Sequence, residues 1–143
     1  MESVGTEAQA TRETIDANVT LLVLADELAV ARLDPGTPVP HWAWDGGISS
    51  ITRTPEELSV VCAASAVPAD VQAERGWRSF RVAGPLDFSL TGVLASIAGP
   101  LAAARISIFS VSTYDTDYIL VRGESLAAAI DCLRSAGHDV TEC

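Results

Sequence analysis

The sequence predicts an α+β fold in which antiparallel sheets carry their helices on one face. Three observations predict it. Residues 77 to 141 read strand, helix, strand, strand, helix, strand, the ferredoxin-like βαββαβ order. Two segments there space their apolar residues by three and four, which places them on one helical face. They are Leu90, Val93, Leu94, Ile97 and Leu101, then Leu126, Ala129, Ile130 and Leu133. The stretch before residue 76 shows strand-like runs without that spacing. It reads as a reduced copy of the same order, its helices shortened to loops.

The expected organisation is a leader over residues 1–17, an N-terminal unit over 18–75 and a C-terminal unit over 76–143. The leader is polar and has no sustained apolar period. Val19 to Leu24 reads as a buried strand, Asp26-Glu27 as a break, and Leu28 to Leu33 as a second strand antiparallel to the first. Asp34-Pro35-Gly36-Thr37-Pro38 is loop chemistry. Trp42-Ala43-Trp44 and the Asp45-Gly46-Gly47 turn follow. Ile48 to Arg53 and Glu57 to Cys62 are strand-like, and Ser65 to Glu74 reads as a linker.

In the second half, Trp77 to Val82 alternates as a strand does, and Gly84-Pro85 ends it. Ser89 suits the N-cap of the first helix. Pro100 lies inside the helical pattern and is expected to kink the helix or end it. Ile106 to Thr113 is a β-branched strand, Tyr114-Asp115-Thr116 a tight turn, and Tyr118 to Val121 the returning strand. Glu124 to Ala136 is the second helix, with Gly137 at the position a C′ glycine takes. His138 to Thr141 closes the order as an edge strand.

Composition narrows the function. The chain has 143 residues, 48% hydrophobic and 20% charged, enough to bury a core and unlike a disordered segment. Its formal net charge of −10 repels phosphate backbones, so nucleic acid is not an expected partner. No apolar run is long enough to cross a bilayer and no start reads as a signal peptide, which makes the cytoplasm the expected location, with no membrane partner. The three cysteines, Cys62, Cys132 and Cys143, are odd in number and widely spaced, which gives no disulfide framework and no zinc signature. Cys62 and Cys132 read as small buried hydrophobes, Cys143 as an exposed thiol.

The run from Gly92 to Ala104, then Ile106-Ser107, then Ser112-Thr113-Tyr114-Asp115-Thr116-Asp117-Tyr118-Ile119-Leu120-Val121 resembles the ACT domains of the CASTOR type. Glu57 to Cys62, Val67-Pro68 and Gly76-Trp77 are similar as well, so the likeness spans roughly residues 19 to 141. That family includes animal cytosolic arginine sensors and many short bacterial proteins. The resemblance implies two ACT units per chain and a homodimer formed by joining ACT sheets. It also implies a regulatory protein with an amino acid held between units. In the animal sensors the ligand contacts a Ser-Val segment on one unit. On the other it meets a glycine loop entering a helix and an Asp near a strand turn. Carried over, these are Ser59 and Val60, Gly92 and Asp117. The loop Leu86 to Leu90 departs from the animal sensors, which leaves the identity of the ligand open.

The chemistry of such a pocket is simple. A ligand carboxylate suits backbone N–H groups at a helix N-terminus, which the loop containing Asp87 and leading to Gly92 can present. Gly92 lets a ligand approach the backbone closely. An ammonium, or a basic side chain, suits the carboxylates of Asp115 and Asp117, with Thr113 beside them. The expected ligand-binding set is therefore Ser59, Val60, Asp87, Gly92, Thr113, Asp115 and Asp117. Each has a plainer reading. Asp is common in turns for backbone reasons, glycine allows close helix–sheet packing, and Ser59 suits an exposed strand face.

No metal is expected, because neither His41 nor His138 has a second ligand at the required spacing. No phosphate loop, dinucleotide fingerprint or nucleophile elbow occurs, so no cofactor is expected and no nucleophile–base pair recommends an enzyme. Three functions compete: an amino-acid sensor, a catalytic or accessory protein using Asp115, Asp117 or His41 as acid or base, and a dimerisation module without a ligand. Trp42, Trp44 and Trp77 read as core or interface residues.

Overall fold

The strand and helix patterns are realised with two instructive departures. The computed structural model describes residues 18–84 and 92–142, and the expectations for the leader, Asp87, Ser89, Leu90 and Cys143 lie outside them. The strands are β1 (Thr20–Leu33), β2 (Ser50–Arg53), β3 (Leu58–Ala63), β4 (Ala73–Val82), β5 (Ile108–Ser112), β6 (Asp117–Arg122) and β7 (Asp139–Glu142). The helices are α1 (Val93–Ala103) and α2 (Leu126–Ser135).

The first departure is β1. The expected hairpin at Asp26-Glu27 does not form, and Thr20 to Leu33 is one 14-residue strand. A two-residue hairpin turn needs positive φ, which Asn-Gly or Asp-Gly supplies. Ala25-Asp26-Glu27 has no glycine, and Arg105 is the described non-glycine residue with positive φ. The polar pair is accommodated as exposed side chains within an extended strand.

The chain forms two compact units, and passes between them within β1, after Val23, and within β4, after Ser79. The first unit joins the start of β1 to residues 80 onward. Its strand order is β7-β1-β4-β6-β5, with β7 parallel to β1 and β5 antiparallel to β6. The βαββαβ order thus runs from β4 to β7, with the start of β1 added beside β7. Alternate sheet residues Leu21, Val23, Phe80, Val82, Ile119, Val121 and Val140 pack against Val93, Ile97 and Leu101 of α1 and Ala129, Ile130 and Leu133 of α2. Each large side chain fully buried in this way contributes roughly 1.5–3 kcal/mol.

The second departure is Pro100, which neither ends nor breaks α1; the helix runs on to Ala103. Proline removes the donor that would satisfy the carbonyl of Ser96. His138, buried from solvent, supplies a replacement: its Nε2 lies 3.0 Å from the Ser96 oxygen. Its Nδ1 accepts the N–H of Val19 at 3.2 Å, so the ring carries its hydrogen on Nε2. Both helices end in Schellman motifs. Gly137 at φ 101° ends α2, as expected, with bonds from Gly137 N to Arg134 O and from His138 N to Leu133 O. Arg105 at φ 60° ends α1, with bonds from Arg105 N to Ala102 O and from Ile106 N to Leu101 O.

The second unit comprises Leu24–Ser79, with strand order β2-β3-β1-β4. β3 is antiparallel to both β1 and β2. Its core is built from small residues: Ala29, Ala31, Ala43, Leu58, Val60, Cys62, Ala64 and Val67. No α-helix lies among these residues; short 3-10 turns at His41–Trp44 and Ala64–Ala66 take the place of helices. The expected linker from Ser65 is ordered by Arg75, whose guanidinium donates to the carbonyls of Ala64, Val67 and Pro68. β4 begins at Ala73, earlier than the expected Trp77, and accommodates Gly76 at φ 83° within the strand.

Candidate functional site

The first unit contains four of the expected ligand residues, Gly92 at the start of α1 and Thr113, Asp115 and Asp117 at the β5–β6 turn. Gly92 stands at the start of α1 at φ 82°, a left-handed conformation that disfavours any residue with a Cβ, and its carbonyl accepts the N–H of Ser96. The β5–β6 turn is closed by Thr113. Its backbone N–H and hydroxyl both reach the Thr116 carbonyl, at 2.8 and 3.0 Å, and its hydroxyl accepts the Thr116 N–H. Thr116, which is buried, donates its hydroxyl to the Val82 carbonyl at 2.6 Å. That bond fastens the turn to the end of β4. Gly92 and this turn both belong to the first unit.

The carboxylates on this turn have a distinct status. Asp115 is exposed and Asp117, paired with Ser112 at the start of β6, is half-buried. Neither carboxylate hydrogen-bonds among the described residues; the turn is held by threonine side chains instead. The backbone-turn explanation for the two aspartates thus has no bond behind it. Asp87 lies outside the described residues.

Ser59 and Val60 belong to the second unit, in the middle of β3. Ser59 is half-buried and faces Arg32 and Thr52 in register. The Val60 side chain is fully buried in that unit's core, so only its backbone is available to a ligand.

Two clefts escaped the sequence reading. One, in the second unit and of about 650 Å3, is bordered by Asp26, Glu27, Asp45, Gly46, Arg75 and residues 63–66. The other, in the first unit and of about 550 Å3, is bordered by Asn18, Ala95, Ser96, Gly99, Pro100, Ala136 and His138. The first joins residues from four separate segments, which no local motif announces. Among the described residues no group of His, Cys, Asp and Glu is arranged to hold a metal ion, and no helix is long and apolar enough to cross a membrane. Cys62 is buried, and its thiol is pushed up from the ordinary range by burial first and then by the charge of Asp45, with Arg75 opposing.

These elements correspond to known proteins. The family model for the ACT domain matches residues 72–135, and a model for an N-terminal domain matches residues 26–70. The chain is similar to the human cytosolic arginine sensor for mTORC1 subunit 1, with 44% identity over 59 residues. That match covers 41% of this chain and 18% of the sensor, so this chain spans about a fifth of the length of that relative. Protein Atu0741 from Agobacterium tumefaciens, known from a crystal structure, is 40% identical with a TM-score of 0.85, covering 89% of this chain and 95% of that one. The regulatory subunit of aspartate kinase from Thermus thermophilus is 14% identical with a TM-score of 0.55, covering 85% and 99%, a likeness of fold alone. The fold is that of ACT regulatory regions. This chain belongs to the ACT-domain family of the CASTOR type.

Proposed function

We propose that this protein is a regulatory sensor that binds a free amino acid or a closely related metabolite. The observation that carries the reading is the pair of carboxylates, Asp115 and Asp117, on a threonine-braced turn, neither hydrogen-bonded among the described residues, in the unit whose first helix opens on the left-handed Gly92. A braced turn holds a charge in place without using it, which is what recognition of an ammonium requires. Thr113 offers a hydroxyl beside them, and Asp87 is kept as a proposed ligand contact. In this reading Ser59, through its side chain, and Val60, through its backbone, are the contacts contributed by β3. The name of the human relative makes L-arginine the first ligand to try.

The two units, expected as residues 18–75 and 76–143 and divided in the structure after Val23 and after Ser79, are read as tandem ACT-type units in a cytoplasmic protein. A homodimer by sheet joining suits β5, which ends its unit's strand order and carries no charged residue and no proline. Such an edge is not protected against pairing with another chain.

A thermal-shift screen of the twenty amino acids tests the proposal, repeated with Asp117→Ala. A ligand that binds only the folded state raises the melting temperature by mass action. The expected result is a rise with one amino acid or a small group, lost in Asp117→Ala. No rise with any of them overturns the amino-acid reading.

A further inference from the structure

We propose that the second unit carries a docking surface for a basic segment of a partner protein, centred on Trp44. The observations are independent of the amino-acid site. Trp44 is 64% exposed, and Val39 on the same loop is 37% exposed. Tryptophan is among the residues most enriched at the centres of protein interfaces, so an exposed indole is a candidate anchor.

The loop is held, which makes the exposure a fixed feature. The Arg53 guanidinium donates to the carbonyls of Pro35 and Thr37. Ala43 is completely buried, and its carbonyl accepts the Ser49 hydroxyl. Asp45 N bonds back to Trp42 O, and Ala63 N to Asp45 O. Burying Ala43 turns its neighbour Trp44 outward. Long connections clamped in this manner are commonly functional.

Charge decides the kind of partner. Asp45, next to Trp44, borders the 650 Å3 cleft together with Asp26 and Glu27. A Cβ added to Gly47 would lie 3.3 Å from Asp26 Oδ2, so that carboxylate rests against the same loop. Arg75 is fixed in the wall by three carbonyls, and the cleft mouth remains acidic. Trp44 precedes Asp45 in the chain, so a segment with several basic groups can set one cation over the exposed indole and another against the cleft carboxylates. An acidic or neutral segment gains nothing from the acids.

The test uses the full chain and a capped nonapeptide alternating arginine with leucine, with a glutamate-for-arginine version as control. Calorimetric titration at moderate salt is the readout. Trp44→Ala leaves the net charge unchanged, so it separates docking from general attraction to an acidic protein. Because Trp44 is exposed, its removal leaves the core intact, which circular dichroism verifies. The expected result is saturable binding of the basic peptide only, weakened roughly tenfold by Trp44→Ala and by Asp45→Asn. Binding unchanged by Trp44→Ala, or no saturation, overturns the proposal. Equally tight binding of arginine amide alone also overturns it, in favour of a small-molecule site.

Discussion

The ring of His138 stands 3.0 Å from the carbonyl of Ser96, the one acceptor in α1 that Pro100 leaves without its helical donor. Through its other nitrogen the same ring ties that helix to Val19, just before β1. Removing His138 leaves a carbonyl and an N–H unsatisfied. His138→Ala is expected to cost about 1–3 kcal/mol in urea unfolding. Pro100→Ala restores the backbone donor, so the same His138→Ala change should cost less in that background. Equal costs in both backgrounds would contradict the assignment.

Arg105 ends α1 in the left-handed region, where a Cβ is strained. Arg105→Gly is expected to raise stability by about 1 kcal/mol, because the two Schellman bonds need only the backbone. Denaturant midpoints of the two proteins check it. An unchanged or lower midpoint would show that the arginine side chain stabilises the fold by more than its conformation costs.

The hydroxyl of Thr116 holds the β5–β6 turn to the end of β4. Thr116→Val keeps the shape and removes the donor, and should cost about 1–3 kcal/mol, whereas Thr116→Ser should cost less. Since Asp115 and Asp117 flank this residue, Thr116→Val should also weaken any ligand-induced thermal shift. A full shift in a destabilised Thr116→Val would separate the turn from recognition.

Cys62 keeps its proton more tightly in the folded protein than in the unfolded chain, through burial and the nearby Asp45. The resulting stability is undiminished below the ordinary thiol range. It falls away as pH rises through that range toward the elevated folded value, because the unfolded chain ionises first. Stability measured from neutral to alkaline pH should therefore decline less steeply in Cys62→Ala. Parallel curves would contradict this. In the same account Cys62 reacts slowly with iodoacetamide while the half-buried Cys132 reacts faster.

Much of the first unit was legible because its signals are local. The spacing Val93, Ile97, Leu101 marks a helix face, Gly137 marks a helix end, and all four stand where that spacing places them. Pro100 misled because its compensation comes from His138, distant in sequence. Asp26-Glu27 misled because a polar pair signals a turn only when the backbone can turn there. The acidic cleft was invisible, since Asp26, Asp45, Ala64 and Arg75 meet only through the pairing of β1, β3 and β4. Thr113 and Asp117 were legible as a turn, but the brace from Thr116 to Val82 was not, because it joins residues 34 positions apart.

The most direct test of the sensor reading is a 1H–15N correlation titration of the full chain with L-arginine and then the remaining amino acids. The account predicts saturable shifts at the amides of Gly92 and of residues 113 to 117 with at least one of them, and their loss in Asp117→Ala. Saturable binding that leaves those amides unmoved, or no shift with any amino acid, would contradict it.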